Sequence, residues 1–312
     1  MKDIQLTIAK DYVSDWGIWE AFRELAQNAL DHSDRSSTKV SIGFSKRTKA
    51  LTLISENIVL HKQSLILGCT SKTEDSNQRG QFGEGYKLAL VVLLRLGIKV
   101  TINNGDEVWV PSFKWSQEFQ AELLTISVAK IKTTNKHLVF RLAGITKEQA
   151  KQLTDKVLIN REQQKGYRTD YGKILTEERF KGQVFVGGLY VCKPNLKDLE
   201  QGFDFDPQHV SLGRDRGLMD SFDVQWLASK MWGTIFAPDT KVIDETARLV
   251  LAGNATTRYY GSVHSAHNSD ITNRVSEIFY EEYTDTAVPV TSEAERTLVL
   301  SNYDNAVPVI VS

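Results

Sequence analysis

The sequence predicts an α+β protein built as a helix/sheet sandwich, and three observations carry that prediction. Apolar residues at Ile18, Phe22, Leu25 and Ala29 follow the four-three-four spacing of an amphipathic helix. Two β-rich runs, Val40 to Phe44 and Leu51 to Ile54, flank the polar stretch Ser45-Lys46-Arg47-Thr48-Lys49 and read as strands of one hairpin. The chain has 312 residues, more than a domain of about 100 to 200 requires. Two domains are therefore expected, 1–160 and a smaller α/β domain at 170–312, with one elongated domain as the alternative.

The first helix is expected from Ile18 to His32, capped by Asp15 or Ser14. Residues Thr70 to Glu84 lack sustained apolar periodicity and read as a long surface loop, a length usually associated with function. A second helix follows from Tyr86 to Leu96, stopped by Gly97. Ile98 to Ile102, Glu107 to Val110, Leu123 to Val128 and His137 to Leu142 read as further strands, and Thr146 to Leu158 as a helix. The polar stretch Arg161 to Lys173, with Gly166 and Gly172, puts the domain boundary near 145 to 170. Beyond it, Val184 to Val191 is two β-rich triplets around Gly187-Gly188, a hairpin in which glycine accepts the positive φ of the turn. Asp220 to Phe236 and Asp239 to Leu251 read as helices. Between Glu277 and Asp304 stand seven acidic residues and one basic one, Arg296, the pattern of a solvated face. No internal repeat is found.

Composition narrows the function. A formal net charge of -1 supplies no field drawing the protein to nucleic acid, so that partner is not indicated by charge. Two cysteines, Cys69 and Cys192, lie far apart and outside any C-x-x-C pattern, which argues against a disulfide framework and for a reducing compartment. No stretch approaches the roughly 18 apolar residues of a membrane span, and the cytoplasm is the expected location.

Two local patterns carry chemistry. Glu24, Asn28 and Asp31 lie at i, i+4 and i+7, within an arc of roughly 60° beside the apolar stripe, so one helix face presents carboxylate, amide and carboxylate together. The second pattern is Gly80-Gln81-Phe82-Gly83-Glu84-Gly85-Tyr86-Lys87, whose glycines let backbone amides turn toward an anion at the start of an apolar helix. It is not a Walker A loop, because Gly85 is followed by Tyr86, Lys87 and Leu88. It is not G-x-G-x-x-G either, because the spacing runs G-x-x-G-x-G. Neither Gly-x-Ser-x-Gly nor His-Glu-x-x-His occurs, and His209, His264 and His267 lack acidic or cysteine partners at metal-ligand spacing.

Glu24-Leu25-Ala26-Gln27-Asn28-Ala29-Leu30-Asp31, then Leu67-Gly68-Cys69-Thr70-Ser71-Lys72, then Gly80 to Lys87 resemble, in order and approximate spacing, the motifs of the GHKL ATPases. That superfamily includes gyrase B, the heat-shock chaperone ATPases, MutL, MORC proteins and histidine kinases. The resemblance covers about residues 15 to 97 and implies a Bergerat-type sandwich that binds ATP and Mg²⁺. It implies Glu24 as the general base for the water that attacks the γ-phosphate. Asn28 is implied as the Mg²⁺ ligand through its hard amide oxygen, and Asp31 as support for the magnesium waters or the nucleotide's sugar and base. Thr70, Ser71 and Lys72 match the opening of the ATP lid. Gly80, Gln81, Phe82, Gly83, Glu84, Gly85, Tyr86 and Lys87 match its close, with Lys87 placed to add charge at the phosphates.

One motif departs from the family. In place of Asp-x-Gly-x-Gly the chain has Ser55-Glu56-Asn57-Ile58-Val59, without glycine, so Glu56 or Asn57 is left to read the base. The resemblance makes residues 170–312 transducer-like, with Arg214 or Arg216 reaching the γ-phosphate and Thr133-Thr134 offering a hydroxyl. It implies an ATPase that couples nucleotide to lid closure, conformational change or homodimerisation, acting on an unknown protein partner. A non-hydrolysing, nucleotide-gated interaction module is the alternative. A histidine kinase fits less well, since the first histidine is His32 and no phosphoacceptor helix precedes the motifs.

Overall fold

A computed structural model of the chain describes residues 2–66, 85–133, 136–196, 199–210, 220–262 and 268–311. The chain divides into two compact units, Met1–Arg161 and Glu162–Ser312. The α+β class and the helix-on-sheet arrangement expected of the first half are those observed.

The first unit runs β1 (Lys2–Ala9), α1 (Ile18–Ser36), β2 (Val40–Ser45), β3 (Ala50–Ser55), α2 (Gly85–Arg95), β4 (Lys99–Asn104), β5 (Glu107–Ser116), β6 (Ala121–Lys130), β7 (Leu138–Ala143) and α3 (Lys147–Asp155). Its strands form one seven-stranded sheet in the order β1-β6-β5-β4-β7-β3-β2, antiparallel at every step. Helices α1 and α2 pack on each other; α1 also packs on β3 and β2, and α2 on β4 and β5. Phe22 and Leu25 of α1, Leu90 and Leu93 of α2, and Leu51, Leu53, Ile102 and Trp109 of the sheet are essentially closed to solvent. Each such side chain contributes about 1.5–3 kcal/mol by leaving water, which ties the two helices to the sheet.

Two expectations change at the helix ends. The cap of α1 is Gly17 and not Asp15 or Ser14: its N–H donates to the Glu20 carboxylate at 2.9 Å, so a first-turn acid satisfies the orphan donor in place of a cap hydroxyl. Helix α2 does stop at Gly97, in the paired-bond geometry that Ile98 N–H to Leu93 O and Gly97 N–H to Leu94 O define. Strand β1 was not expected; it supplies an edge of the sheet by pairing with β6.

The second unit contains β8 (Gly166–Thr169), β9 (Gly172–Leu175), β10 (Val184–Val186), β11 (Leu189–Cys192), β12 (Gly202–Phe205), α4 (Ser221–Gly233), α5 (Thr240–Leu251), α6 (Asn268–Glu282), β13 (Ala287–Val290), α7 (Glu293–Asn302) and β14 (Val307–Ile310). Five strands form a mixed sheet, β11-β10-β12-β9-β8, in which only β10 and β12 run parallel. Gly187 and Gly188, at φ 59 and 80, make the two-residue turn between β10 and β11. Ile174, Phe203, Phe205, Val224, Met231 and Trp232 form its core. The buried indole N–H of Trp232 donates to Thr256 Oγ1 at 3.1 Å, and that hydroxyl donates to Asn254 Oδ1 at 2.8 Å, so these two buried groups are paired. β13 and β14 form a separate two-stranded parallel sheet joined by α7.

Candidate functional site

Helix α1 carries the site. Its polar residues face the interior: Arg23, Glu24, Gln27 and Asp31 are buried, with Glu24 only 8% exposed. Glu24 and Asp31 lie beside the apolar stripe and are buried as well, because α2 packs against α1 on a side the hydrophobic periodicity left polar. Burying charge in this way needs partners. Arg23 Nη2 lies 3.3 Å from Glu24 Oε1, and the Arg23 guanidinium stands 5.8 Å from the centre of the Trp16 ring.

Gly85, the first residue of α2, is set directly against Glu24. A β-carbon at this position would lie 2.2 Å from Glu24 Oε2 and 3.1 Å from its Cδ, a distance no side chain tolerates. The glycine is thus required by close approach and not by an unusual φ. It brings the N-terminus of α2, with its partial positive charge, beside the carboxylate.

One turn along α1, Asn28 Nδ2 donates to the Glu24 carbonyl at 2.8 Å. A carbonyl can only accept, so the bonded atom must be the amide nitrogen. The amide oxygen is left on the other branch, and among the described residues nothing donates to it. Asp31 lies a further turn on, 2% exposed.

Past β3 the chain turns through Glu56 and Asn57. The Glu56 N–H donates to the Lys39 carbonyl at 3.0 Å. Asn57 is left-handed at φ 56, which asparagine tolerates better than most residues, and its N–H donates to His137 Nδ1 at 3.2 Å. His137 carried no motif in the sequence. It is placed here because Ser55 pairs with Leu138 across β3 and β7. Among the described residues no hydrogen bond or ion pair joins Glu56 or Asn57 to Glu24 or Asn28.

Tyr86 and Lys87 are both buried and hydrogen-bond to backbone. The Tyr86 hydroxyl donates to the Ser64 carbonyl at 2.8 Å, and burial pushes the phenol up to about 12. Lys87 is fully buried, and its ammonium donates to the Ile66 carbonyl at 2.6 Å. The Lys87 charge is thus engaged with backbone in the interior. Both side chains fasten the start of α2 to the short 3-10 helix Lys62–Leu65 and the residue after it. Thr70, Ser71, Lys72, Gly80, Gln81, Phe82, Gly83, Glu84, Thr134, Arg214 and Arg216 lie outside the described residues.

Other chemistry is sparse. His209 Nε2 lies 3.1 Å from the Asp170 carbonyl, and its ring stands 4.7 Å from Tyr171; His264 and His267 lie outside the described residues. Among the described residues no three His, Cys, Asp or Glu side chains gather as a metal would need, and no helix is long and apolar enough to cross a membrane.

No protein-family model matches the chain. An uncharacterized protein of Mycoplasma pneumoniae is 22% identical over 236 residues, covering 72% of this chain and 85% of the relative. Among solved structures, the ATPase region of Saccharomyces cerevisiae topoisomerase II aligns at 12% identity and TM-score 0.33, over 61% of this chain and 69% of that one. The same region bound to ICRF-187 aligns at 15% and 0.28, over 40% of this chain and 37% of that one. The ATPase and transducer domains of DNA topoisomerase II from Balamuthia mandrillaris align at 14% and 0.27, over 46% and 43%. The chain thus spans well under half the length of two of these structures. Scores of this size describe a partial likeness, and function rests on this chain's own residues.

Proposed function

We propose that the Met1–Arg161 unit is a Mg-ATP-binding module of the GHKL kind that hydrolyses ATP. The observation that carries the reading is the packing of Gly85 against Glu24, because it joins two motifs 61 positions apart in the sequence at one carboxylate. The residues fit the implied ligands. Asn28 offers a hard amide oxygen that no described group uses, the kind of donor Mg²⁺ takes, and the missing β-carbon at Gly85 lets the N-terminus of α2 lie against the Glu24 carboxylate. When bound, Mg²⁺ supplies charge neutralisation at the phosphate oxygens.

Glu24 accepts the proton of the attacking water at a carboxylate oxygen, with Arg23 and the α2 N-terminus holding that carboxylate in place. Glu56 and Asn57, with Asn57 fixed by His137, are the residues proposed to meet the base. The stretch from Thr70 to Glu84 acts as a lid whose closure changes shape or dimer contact. The Glu162–Ser312 unit serves as transducer, with Arg214 as the residue that senses the γ-phosphate.

The test is a pair of measurements on purified protein. Wild type is expected to release phosphate from Mg-ATP, and Glu24→Gln to retain ATP binding within about threefold while turnover drops by about 10²–10⁴, the usual worth of a general base. Turnover indifferent to Glu24 sinks the assignment. A second reading, a nucleotide-gated module without turnover, is favoured by the Glu24–Arg23 ion pair and by the absence of glycine from Ser55 to Val59. ATP-dependent change in molecular mass with no phosphate release would select it.

A further inference from the structure

The chain from α6 to β14 reverses the ordinary rule of burial. Of sixteen large apolar side chains exposed among the described residues, seven lie between Tyr280 and Ile310, including the two most exposed, Tyr303 at 66% and Leu298 at 63%. Helix α7 has no buried residue at all. Its apolar triplet Leu298-Val299-Leu300 spans an arc of about 200°, at about 100° per residue. Two strands cannot cover so wide an arc, and exposed apolar surface of this extent marks an interaction site.

The strand edges decide what kind of partner fits. Val307 N–H and Val311 N–H donate to the carbonyls of Thr286 and Val290 at 2.9 Å. With the period of two in a strand, Val288 and Val309 also face the partner strand, and Pro289 and Pro308 face outward. Each proline falls where Ala-Val-Pro-Val recurs, at 287–290 and 306–309. On the outer edge of β13 the remaining donor, Ala287 N–H, is taken by the Thr284 carbonyl. Proline on an outer edge is a known block to strand addition. A further β-strand is thus poorly received on either side.

Charge removes three other occupants. Glu282, Asp285, Glu293, Glu295 and Asp304 surround this element; Arg296 is paired with Glu293 at 3.3 Å and Arg248 lies 3.9 Å from Glu282, so the acids outnumber the cations. A second copy of the same acidic surface would be repelled, as would nucleic acid or an anionic membrane. We propose that β13-α7-β14 docks a basic amphipathic helix of a partner protein, with its apolar stripe on Leu298 and Leu300 and its cations on the acidic rim. The inference is independent of nucleotide binding by the first unit.

Fluorescence anisotropy on the full chain tests it, with a labelled synthetic helix of leucine and lysine at amphipathic spacing as probe. Saturable binding is expected, weakened about tenfold or more by Leu298→Ser/Leu300→Ser and likewise by Asp285→Lys/Asp304→Lys, the size of loss that follows removal of interface anchors. All four positions are exposed, so both variants are expected to melt as wild type does. Equal affinity for a scrambled peptide of the same composition overturns the proposal, as does binding unchanged in both variants. Sedimentation showing a dimer that Leu298→Ser/Leu300→Ser dissociates overturns it in favour of a second copy.

Discussion

Helices α1 and α7 break the same rule in opposite directions. In α1, Arg23, Glu24, Gln27 and Asp31 are carried into the interior, whereas in α7, Leu298 and Leu300 are left in water. Buried charge costs free energy unless it is partnered, and exposed leucine forfeits the gain of burial. Neither arrangement serves stability by itself. The difference lies in preparation: α1 packs on α2, β2 and β3 with Glu24 held between Arg23 and Gly85, while α7 packs on β13 and β14 with no residue buried.

The contrast can be broken most forcefully at Gly85. In the wild-type background Gly85→Ala drives a methyl into Glu24 Oε2, and a stability loss of about 1–3 kcal/mol with loss of phosphate release is expected. With Glu24→Ala present the obstacle is gone, and the same substitution should cost less than about 0.5 kcal/mol, since alanine suits a helix better than glycine. Urea melts of the four proteins close the cycle; additive effects would refute the close approach.

A second comparison uses pH. Burial raises the Tyr86 phenol from 10 to about 12, so the folded chain holds its proton where the unfolded chain has released it. The resulting stability is fully present below about pH 10 and is lost as pH rises toward 12, by the sign of proton linkage. Wild type should therefore lose on the order of 2 kcal/mol more than Tyr86→Phe across that window, as read by denaturant melts at matched pH. Parallel curves would contradict the burial.

The smallest effect is expected at α7. Leu298→Ser should change stability by less than about 0.5 kcal/mol, as for surface substitutions generally, whereas Leu90→Ala in α2 should cost about 2–5 kcal/mol. Thermal melts distinguish the two at once. A large loss at Leu298 would mean that α7 buries its leucines after all.

Much of the first unit was legible in the sequence because its elements are long enough for periodicity to speak. Helix α1, the β2-β3 hairpin and the stop at Gly97 follow from local spacing. Strand β1 carries the same signal in the alternation of Ile4, Leu6 and Ile8, of which Leu6 and Ile8 are buried. The four-residue strands β8, β9 and β12 are too short to show a period, and the prolines in β13 and β14 argue against strands unless both edges are free. At the site, the spacing of Glu24 and Asn28 was local and readable. The burial of Arg23 and Asp31, the turning of Lys87 to Ile66 and the placing of His137 beside Asn57 depend on residues many positions away, which no local pattern encodes.

The bonds from Tyr86 to Ser64 and from Lys87 to Ile66 span 22 and 21 positions. Bringing the ends of a free loop of that length together costs about 3 kcal/mol of chain entropy, from (3/2)RT ln n alone. Here that cost is met when the chain folds, so a ligand engaging the intervening residues need not gather their ends.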